Sequence, residues 1–429
     1  MKSTHKVLVA ALIAVGVVAC GKEEAKPAPK VEPAKAVEVP SVTVTIAHAG
    51  PLTGSISHLG KDDENGVALA VAHANDKKIM IDGKLVKFKM QSEDDQADAK
   101  VGTVVANKLV DAKVIAVVGH LNSGVSIAAS EIYAKAGIPM ISGSATNPQL
   151  TERGLKNVFR TVGRDDQQGP ALAAFLSSDL KAKKVMLLDD KTAYGEGLAN
   201  EVDKTLKAAK VAVVGRERTT DKETDFRAIL TKVKAKAPDA VFYGGMDATA
   251  GPMLKQAREM GIKSVFTFGD GACTTEMNKL SGPAADGLVC SQAGLPSEAA
   301  GKEFLTAFNA KYVEVKQYAP YFYDATMAVV EAIKKSNSVD PAKFGPEMFN
   351  VSFTGATGKV EFDAKGDRKD AEITIFKMKD SKLVPVSVVK AGVATAYGAA
   401  PAAAPVAAAP VPATAAPAPA AAPAAPMKK

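Results

Sequence analysis

The sequence predicts an α/β fold in which two doubly wound lobes share a hinge. Short apolar, β-branched segments alternate with amphipathic helical segments over residues 42–141, and the same alternation resumes over residues 158–268. Such alternation is typical of parallel sheets with helices on both faces. Two further helical segments, 297–312 and 320–335, have no strand between them, so we expect them to cover a sheet that is already complete. The chain is therefore predicted to return to the first lobe after building the second.

The elements of the first lobe follow one another in strict alternation. We predict a strand at 42–48, a helix at 63–75, a strand at 85–91, a helix at 97–110, a strand at 114–118, a helix at 125–136 and a strand at 138–141. Because the carboxyl ends of parallel strands meet at one edge of a sheet, we expect ligand-binding loops at that edge.

The second lobe is predicted from the same pattern. Its elements are helices at 168–180, 197–209, 225–235 and 250–260, and strands at 184–189, 211–216, 240–243 and 265–268. Segments 361–363 and 373–377 are predicted to be antiparallel additions joined by the Asp367-Arg368 turn. We expect lobe 1 to comprise residues 42–164 and 294–372, and lobe 2 residues 165–293 and 373–390. Several crossings between lobes would form a hinge with a cleft beside it.

Both ends of the chain differ in composition from this core. An apolar run at 7–18 follows two lysines and is typical of a signal peptide, here residues 1–19. Small residues before Cys20 resemble a bacterial lipoprotein cleavage box, which implies a lipidated Cys20; an ordinary signal with an incidental cysteine is the alternative. Residues 20–41 are expected to be a disordered tether, and residues 391–429 a disordered tail rich in alanine and proline.

Charge and cysteine content exclude several classes of function. The net charge is +7, but the lysines are scattered and no basic stripe carries interleaved aromatics, so nucleic acid is not an expected partner. The histidines lack a metal-ligand spacing, and we expect neither a metal nor a cofactor. Cys273 and Cys290 form an even pair in an exported chain, which favours a disulfide; two buried free thiols are the alternative.

No catalytic motif is complete. The loop from Gly54 to Asp62 ends in aspartate where a phosphate loop needs serine or threonine, and Tyr194-Gly195-Glu196-Gly197 lacks the third glycine of a dinucleotide fingerprint. The acids at 94–95 and 189–190 each follow a strand, where capping or loop positions are the favoured interpretation. We therefore expect a binding protein and not an enzyme.

Two distant groups of residues fit the two ends of a free amino acid. Ser123 and the small residues Ser144, Ala145 and Thr146 follow predicted strands, where hydroxyls and backbone N–H groups can hold a carboxylate. Asp270 lies between two glycines, which would let an ammonium group approach. Taken alone, Ser123 would be read as a helix cap and Asp270 as a turn residue, and only their combination predicts a zwitterion site.

These residues and several motifs resemble the periplasmic leucine/isoleucine/valine-binding proteins, the substrate-binding components of ABC transporters. The resemblance covers residues 42–389 and includes Leu150-Thr151-Glu152-Arg153-Gly154, Phe159-Arg160-Thr161 and Asp190-Lys191-Thr192-Ala193-Tyr194-Gly195-Glu196-Gly197. It implies a type I periplasmic binding protein fold whose lobes are joined by three hinge crossings.

The resemblance also implies roles for individual residues. The carboxylate-binding serine of the family falls on Ser123, with Ser144, Ala145 and Thr146 as the second contact group. Its far-lobe aromatic falls on Tyr194, and its ammonium-binding glutamate on Asp270, one methylene shorter. The positions that enclose the aliphatic side chain are Leu59, Leu121 and Tyr318, while Met246 replaces a tyrosine; core packing is the alternative for these four.

The function implied by the resemblance is capture of a branched-chain or similar aliphatic amino acid by cleft closure. Delivery to an ABC permease, with permease and ATPase on separate chains, would follow, and the binding protein would be a lipid-anchored monomer at the periplasmic face of the cell envelope. A ligand-sensing receptor of the same fold, a binding protein for amides or aromatic amino acids, and an envelope structural protein are the alternatives.

Overall fold

A computed structural model describes residues 39–398, whose strands form two main sheets and one small hairpin. The strands are β1 Ser41–Gly50, β2 Met80–Ile81, β3 Lys84–Asp94, β4 Ala116–Gly119, β5 Met140–Ser142, β6 Val158–Arg160, β7 Lys184–Asp189, β8 Ala212–Arg218, β9 Ala240–Gly244, β10 Val265–Phe268, β11 Val289–Gln292, β12 Ser352–Gly355, β13 Gly358–Glu361, β14 Glu372–Lys379, β15 Lys382–Lys390 and β16 Val393–Ala396. The helices are α1 Ser57–Asp76, α2 Ala99–Asp111, α3 Ser123–Lys135, α4 Gln149–Glu152, α5 Asp165–Ala174, α6 Ala193–Ala208, α7 Arg227–Lys236, α8 Asp247–Glu259, α9 Glu276–Ser281, α10 Lys302–Tyr312, α11 Ala319–Ser336 and α12 Pro341–Glu347.

Lobe 1 is the part of the chain that packs around the six-stranded sheet β2-β3-β1-β4-β5-β6. All neighbours in this sheet pair in parallel except β2, which is antiparallel to β3. Helix α11 lies in the core of this lobe, where Phe322 and Val329 pack with strand residues such as Ile46. The second of the two late helices therefore covers an existing sheet, as predicted, whereas α10 packs its Phe304 and Phe308 with Leu69 of α1.

Lobe 2 packs around the eight-stranded sheet β16-β15-β14-β11-β10-β9-β7-β8. Strands β7 to β11 are parallel, and β14, β15 and β16 add to the edge in antiparallel order. The prediction of antiparallel additions is confirmed for 373–377, which lies in β14, whereas of 361–363 only Glu361 belongs to a strand. Glu361 ends the β12–β13 hairpin, whereas Ile375 and its neighbours pair with β11, where the side chain of Ile375 is fully buried.

The chain crosses between the lobes at three places: between β6 and α5, between β11 and α10, and between β13 and β14. A buried network ties the first crossing to the third. The Arg160 guanidinium donates from Nε to Asp367 at 2.6 Å, and Arg164 donates from Nη1 to the other oxygen of Asp367, also at 2.6 Å. The fold is thus the type I periplasmic binding protein arrangement, with two doubly wound lobes on a three-crossing hinge.

The structure moves one predicted boundary. The tail expected from residue 391 begins later, because β16 pairs with β15 from Val393 to Ala396. The predicted signal peptide, Cys20 and nearly all of the tether lie outside the described residues, as does the remainder of the tail. Among residues 39–398, none of the helices combines the length and the apolar character that a membrane span requires.

Candidate functional site

The predicted site residues meet where the carboxyl ends of the parallel strands of both lobes face each other. They enclose a cavity of about 10 Å³, roughly the room that one water molecule needs. The lining residues are Leu121, Asn122, Ser123, Ser144, Tyr194, Met246, Asp270, Gly271 and Tyr318. Seven of the predicted ligand contacts therefore share one cavity, and the lobes around it are closed.

Asp270 is the centre of this cavity's hydrogen bonding. Its Oδ1 accepts from the Tyr194 hydroxyl at 2.8 Å and from Nε2 of Gln168 at 3.0 Å. Its Oδ2 accepts from the Tyr318 hydroxyl at 2.7 Å. Tyr318 belongs to lobe 1 and the other partners to lobe 2, so the carboxylate joins the two lobes.

The same contacts determine the charge and capacity of Asp270. Burial raises the pKa of Asp270, while the donors Tyr318, Gln168 and Tyr194 act in the opposite direction. An ionised carboxylate offers about four acceptor positions, and these three donors leave one for a further group. A ligand ammonium is suited to that position.

The glycines beside Asp270 make room for protein side chains. A Cβ at Gly269 would come within 2.5 Å of the Tyr194 hydroxyl, and one at Gly271 within 2.6 Å of the Met246 sulfur. The Gly271 amide also donates to the Tyr194 hydroxyl at 2.8 Å. The absence of a Cβ at these two positions therefore allows Tyr194 and Met246 to approach the turn.

The opposite wall is the start of α3, which holds Ser123. The Ser123 hydroxyl does not cap its own helix; it accepts from the backbone N–H of Asn147 at 3.2 Å. The Asn147 side chain in turn donates to the carbonyl of Ala193 in lobe 2 at 2.6 Å. The first N–H groups of a helix have no partner inside the helix, so this wall suits a carboxylate.

Three predicted contact residues do not line the cavity. The side chain of Leu59 is fully buried in the core of lobe 1. The Ala145 N–H donates to the Ser142 hydroxyl at 2.9 Å, and the carbonyl of Thr146 accepts from the N–H of Asp165 at 2.9 Å. Local hydrogen bonds therefore occupy these two backbone groups, and of the small-residue segment only Ser144 lines the cavity.

Tyr318 has a role that sequence reasoning missed. Its hydroxyl binds Asp270, whereas the prediction assigned it only to enclosing an aliphatic side chain. The carboxylate of Asp62 accepts from four successive backbone N–H groups at 2.8 to 2.9 Å, those of residues 316–319. These hydrogen bonds also hold the backbone of Gln317. The Gln317 side chain donates to the Asp270 carbonyl at 2.7 Å.

Gln168 and Asp165 were also missed. Gln168 Oε1 accepts from the Asp270 N–H at 3.1 Å, so the amide grips both the backbone and the carboxylate of Asp270. Burial and the neighbouring charge of Asp270 raise the pKa of Asp165 well above its usual value, with the Thr146 hydroxyl acting in the opposite direction. Both residues follow Phe159-Arg160-Thr161, a motif noted in the sequence, and that proximity was the available signal.

The disulfide predicted between Cys273 and Cys290 is present, with the two Cα atoms 5.3 Å apart. Cys273 follows the Asp270 turn directly, and its N–H donates to the Asp270 carbonyl at 2.9 Å. Cys290 lies in β11. The bridge therefore ties the turn that carries Asp270 to the sheet of lobe 2.

A second contact between the lobes lies at the rim of the cleft. His58, at the start of α1, has its Nε2 2.8 Å from Oδ2 of the buried Asp247 in lobe 2. Burial works against the protonated form of His58, but the hydrogen bond and charge of Asp247 outweigh it and raise the pKa of the histidine. Glu276 adds to this effect and Lys279 opposes it.

This pair predicts a pH dependence of ligand binding. Because the pKa of His58 is raised in the closed form, the stabilisation is complete below about pH 6.5, the ordinary histidine value, and disappears as the pH rises through the raised pKa. His58→Gln should weaken ligand binding at pH 6 by roughly threefold and flatten the pH profile between pH 6 and 8. The matched control is His73→Gln, since the His73 ring forms a hydrogen bond with Tyr323 of its own lobe. Equal profiles for wild type and His58→Gln, measured by calorimetry, would remove the pair from closure.

Comparisons of the chain with a family model, with related sequences and with solved structures agree on one family. A model described as periplasmic binding protein matches residues 43–382. The Leu/Ile/Val-binding protein homolog 1 of Brucella abortus is 36% identical over 329 residues, which cover 76% of this chain and 88% of the relative. The leucine-, isoleucine-, valine-, threonine- and alanine-binding protein of Pseudomonas aeruginosa is 33% identical over 337 residues, covering 78% and 90%. The crystal structure of the branched-chain amino acid transporter substrate-binding protein LivJ from Streptococcus pneumoniae, in complex with isoleucine, aligns with a TM-score of 0.74 at 30% identity and covers 81% of this chain and all of that one.

Proposed function

The chain belongs to the periplasmic binding protein family and is not an enzyme, and on that premise we propose that it binds a branched-chain or similar aliphatic amino acid between its lobes. One observation carries the proposal. A buried carboxylate with room for one more donor, Asp270, lines the same cavity as Ser123 at the start of α3. A zwitterion has the two charges that these groups complement.

The ligand's two charged groups would bind to opposite walls. Its ammonium would donate to Asp270, and its carboxylate would accept from the first N–H groups of α3 and from the hydroxyls of Ser123 and Ser144. Leu121 and Met246 supply apolar surface beside these groups. Burying a leucine-sized side chain there contributes roughly 1.5 to 3 kcal/mol, and an exposed polar side chain would gain nothing comparable.

Entry of a ligand would require the lobes to move apart. The cavity of about 10 Å³ is too small for an amino acid, so the bound form needs the lobes farther apart than they are here. The groups that seal it, Asp270 and Tyr318, come from different lobes. Rotation about the three crossings would separate them without disturbing either sheet. Opening and closing at this hinge is the mechanism we propose for capture.

The wider setting is also a proposal. The closed protein would deliver its ligand to an ABC permease whose ATPase is a separate chain. A lipid on Cys20 would hold the protein, as a monomer, at the periplasmic face of the cell envelope; the sequence around Cys20 supports this by its resemblance to a lipoprotein cleavage box.

Calorimetric titration of the purified protein tests the ligand class. We expect leucine, isoleucine and valine to bind with micromolar or lower Kd, and serine, acetamide and benzoate to bind at least tenfold more weakly because they lack either the zwitterion or the apolar side chain. The titration must be repeated after unfolding and refolding, which removes ligand carried through purification. Absence of heat with all three aliphatic amino acids, in protein shown to be folded, would refute the proposal.

A further inference from the structure

A second, larger cavity adjoins the zwitterion site. It has a volume of about 310 Å³ and lies between the lobes, at the carboxyl ends of their parallel strands. Asn122, Tyr194 and Met246 line both this cavity and the small one, so the two share a wall. We call it the side-chain cavity, because the side chain of an amino acid bound at the zwitterion site would enter it by extending past Met246.

At the side-chain cavity, one carboxylate oxygen of a buried acid lacks a hydrogen-bond donor. Asp190 is only 2% exposed and lines the cavity from the end of β7. Its Oδ1 accepts from the N–H of Thr192 at 2.9 Å and from the Thr192 hydroxyl at 2.7 Å. Its Oδ2 is buried and accepts no hydrogen bond from residues 39–398. A buried acceptor without a donor is costly, and a ligand can supply the missing donor.

A second acceptor points to the same chemistry. The side-chain oxygen of Asn122 is also buried and has no donor among the described residues. The charged residues that line the cavity are Asp98, Asp190, Asp221 and Lys222, three carboxylates against one ammonium. Lys222 is itself near Asp98, where its charge adds to the backbone N–H groups that lower the pKa of that acid. The cavity therefore favours a cationic donor and disfavours an anion.

Resting on the proposed function, we propose that the cleft also accepts α-amino acids whose side chain ends in an ammonium or guanidinium group, with that group donating to Asp190 and Asn122. The zwitterion contacts of Ser123 and Asp270 stay the same. A volume near 300 Å³ lies at the lower end of the range for small-molecule sites and suits a side chain of lysine or arginine length.

The test compares ligands of one length with and without the terminal charge. Lysine, arginine, norleucine and leucine are titrated into wild type, Asp190→Asn and Asp225→Asn by calorimetry. Asparagine keeps the Oδ1 acceptor for Thr192, and Asp225 is an exposed acid paired with Arg227 that does not line the cavity. We expect lysine and arginine to bind wild type, and their Kd to rise about tenfold or more in Asp190→Asn, while the Kd of norleucine and leucine changes less than about twofold.

Each other outcome is decisive. Leucine binding without lysine or arginine binding would overturn this inference and leave the proposed function intact. An equal change for lysine and norleucine in Asp190→Asn would overturn it too, and retained leucine binding shows that the variant is folded. Failure of every amino acid to bind would overturn the proposed function and this inference together. Asp190-dependent lysine binding without leucine binding would uphold the inference and refute the aliphatic preference.

Discussion

Asp270→Ala is expected to weaken leucine binding by roughly 30- to 5000-fold. The substitution removes the proposed partner of the ligand ammonium, and loss of one member of a buried charge pair costs about 2 to 5 kcal/mol. It also leaves the hydroxyls of Tyr194 and Tyr318 and the amide of Gln168 without their acceptor. The measurement is the Kd from calorimetry, with circular dichroism to verify that the variant is folded.

Asp270→Asn separates the charge from the shape of this residue. The asparagine keeps an oxygen for Tyr194 but cannot balance an ammonium, so we expect most of the loss to persist. Asp225→Asn is the control, because Asp225 is exposed and lies outside both cavities. A change below about threefold in both Asp270 variants would show that the ammonium binds elsewhere.

Removal of the disulfide should give the largest change in stability. The bridge closes a loop between residues 17 apart in sequence, and loops of this length contribute roughly 3 kcal/mol by restricting the unfolded chain. Replacing both Cys273 and Cys290 by serine should lower the urea midpoint for unfolding of lobe 2 accordingly. Since the bridge holds the Asp270 turn, leucine affinity should fall as well, by a few fold.

Chemical reduction of the wild type is the matched control for the double serine variant. Reductant should destabilise the wild type to the level of the double serine variant, and it should leave that variant unchanged. Coincident unfolding curves for oxidised wild type and the double variant would contradict the expected contribution.

The sequence predicted the order of strands and helices well because parallel sheets leave strong local patterns. Strands such as β4 are buried on both faces and appear as unbroken apolar runs. The exposed strand β16 has no such pattern and was assigned to the tail. The predicted helix at 297–312 begins later, as α10 at Lys302, because the backbone of Ala300 is extended and the Gly301 N–H donates to the carbonyl of Ala356.

The site was predicted in part for a similar reason. Asp270, Tyr194 and Ser123 occur at strand ends, and the topology brings strand ends together. The direction in which a side chain points could not be predicted in this way, because it depends on contacts with residues that are distant in sequence. The Tyr318 hydroxyl reaches Asp270 because Asp62, 256 residues away, holds its backbone N–H. The local sequence does not indicate such a contact. It also does not indicate the packing that keeps Leu59 and Ala145 out of the cavity.

Strand β1 enters lobe 1 at Ser41, at the amino end of the parallel strands, while the cleft opens at their carboxyl ends. The chain that precedes residue 41 therefore joins lobe 1 at the end farthest from the opening of the cleft. A ligand can therefore enter the cleft without passing the point where the preceding chain joins lobe 1.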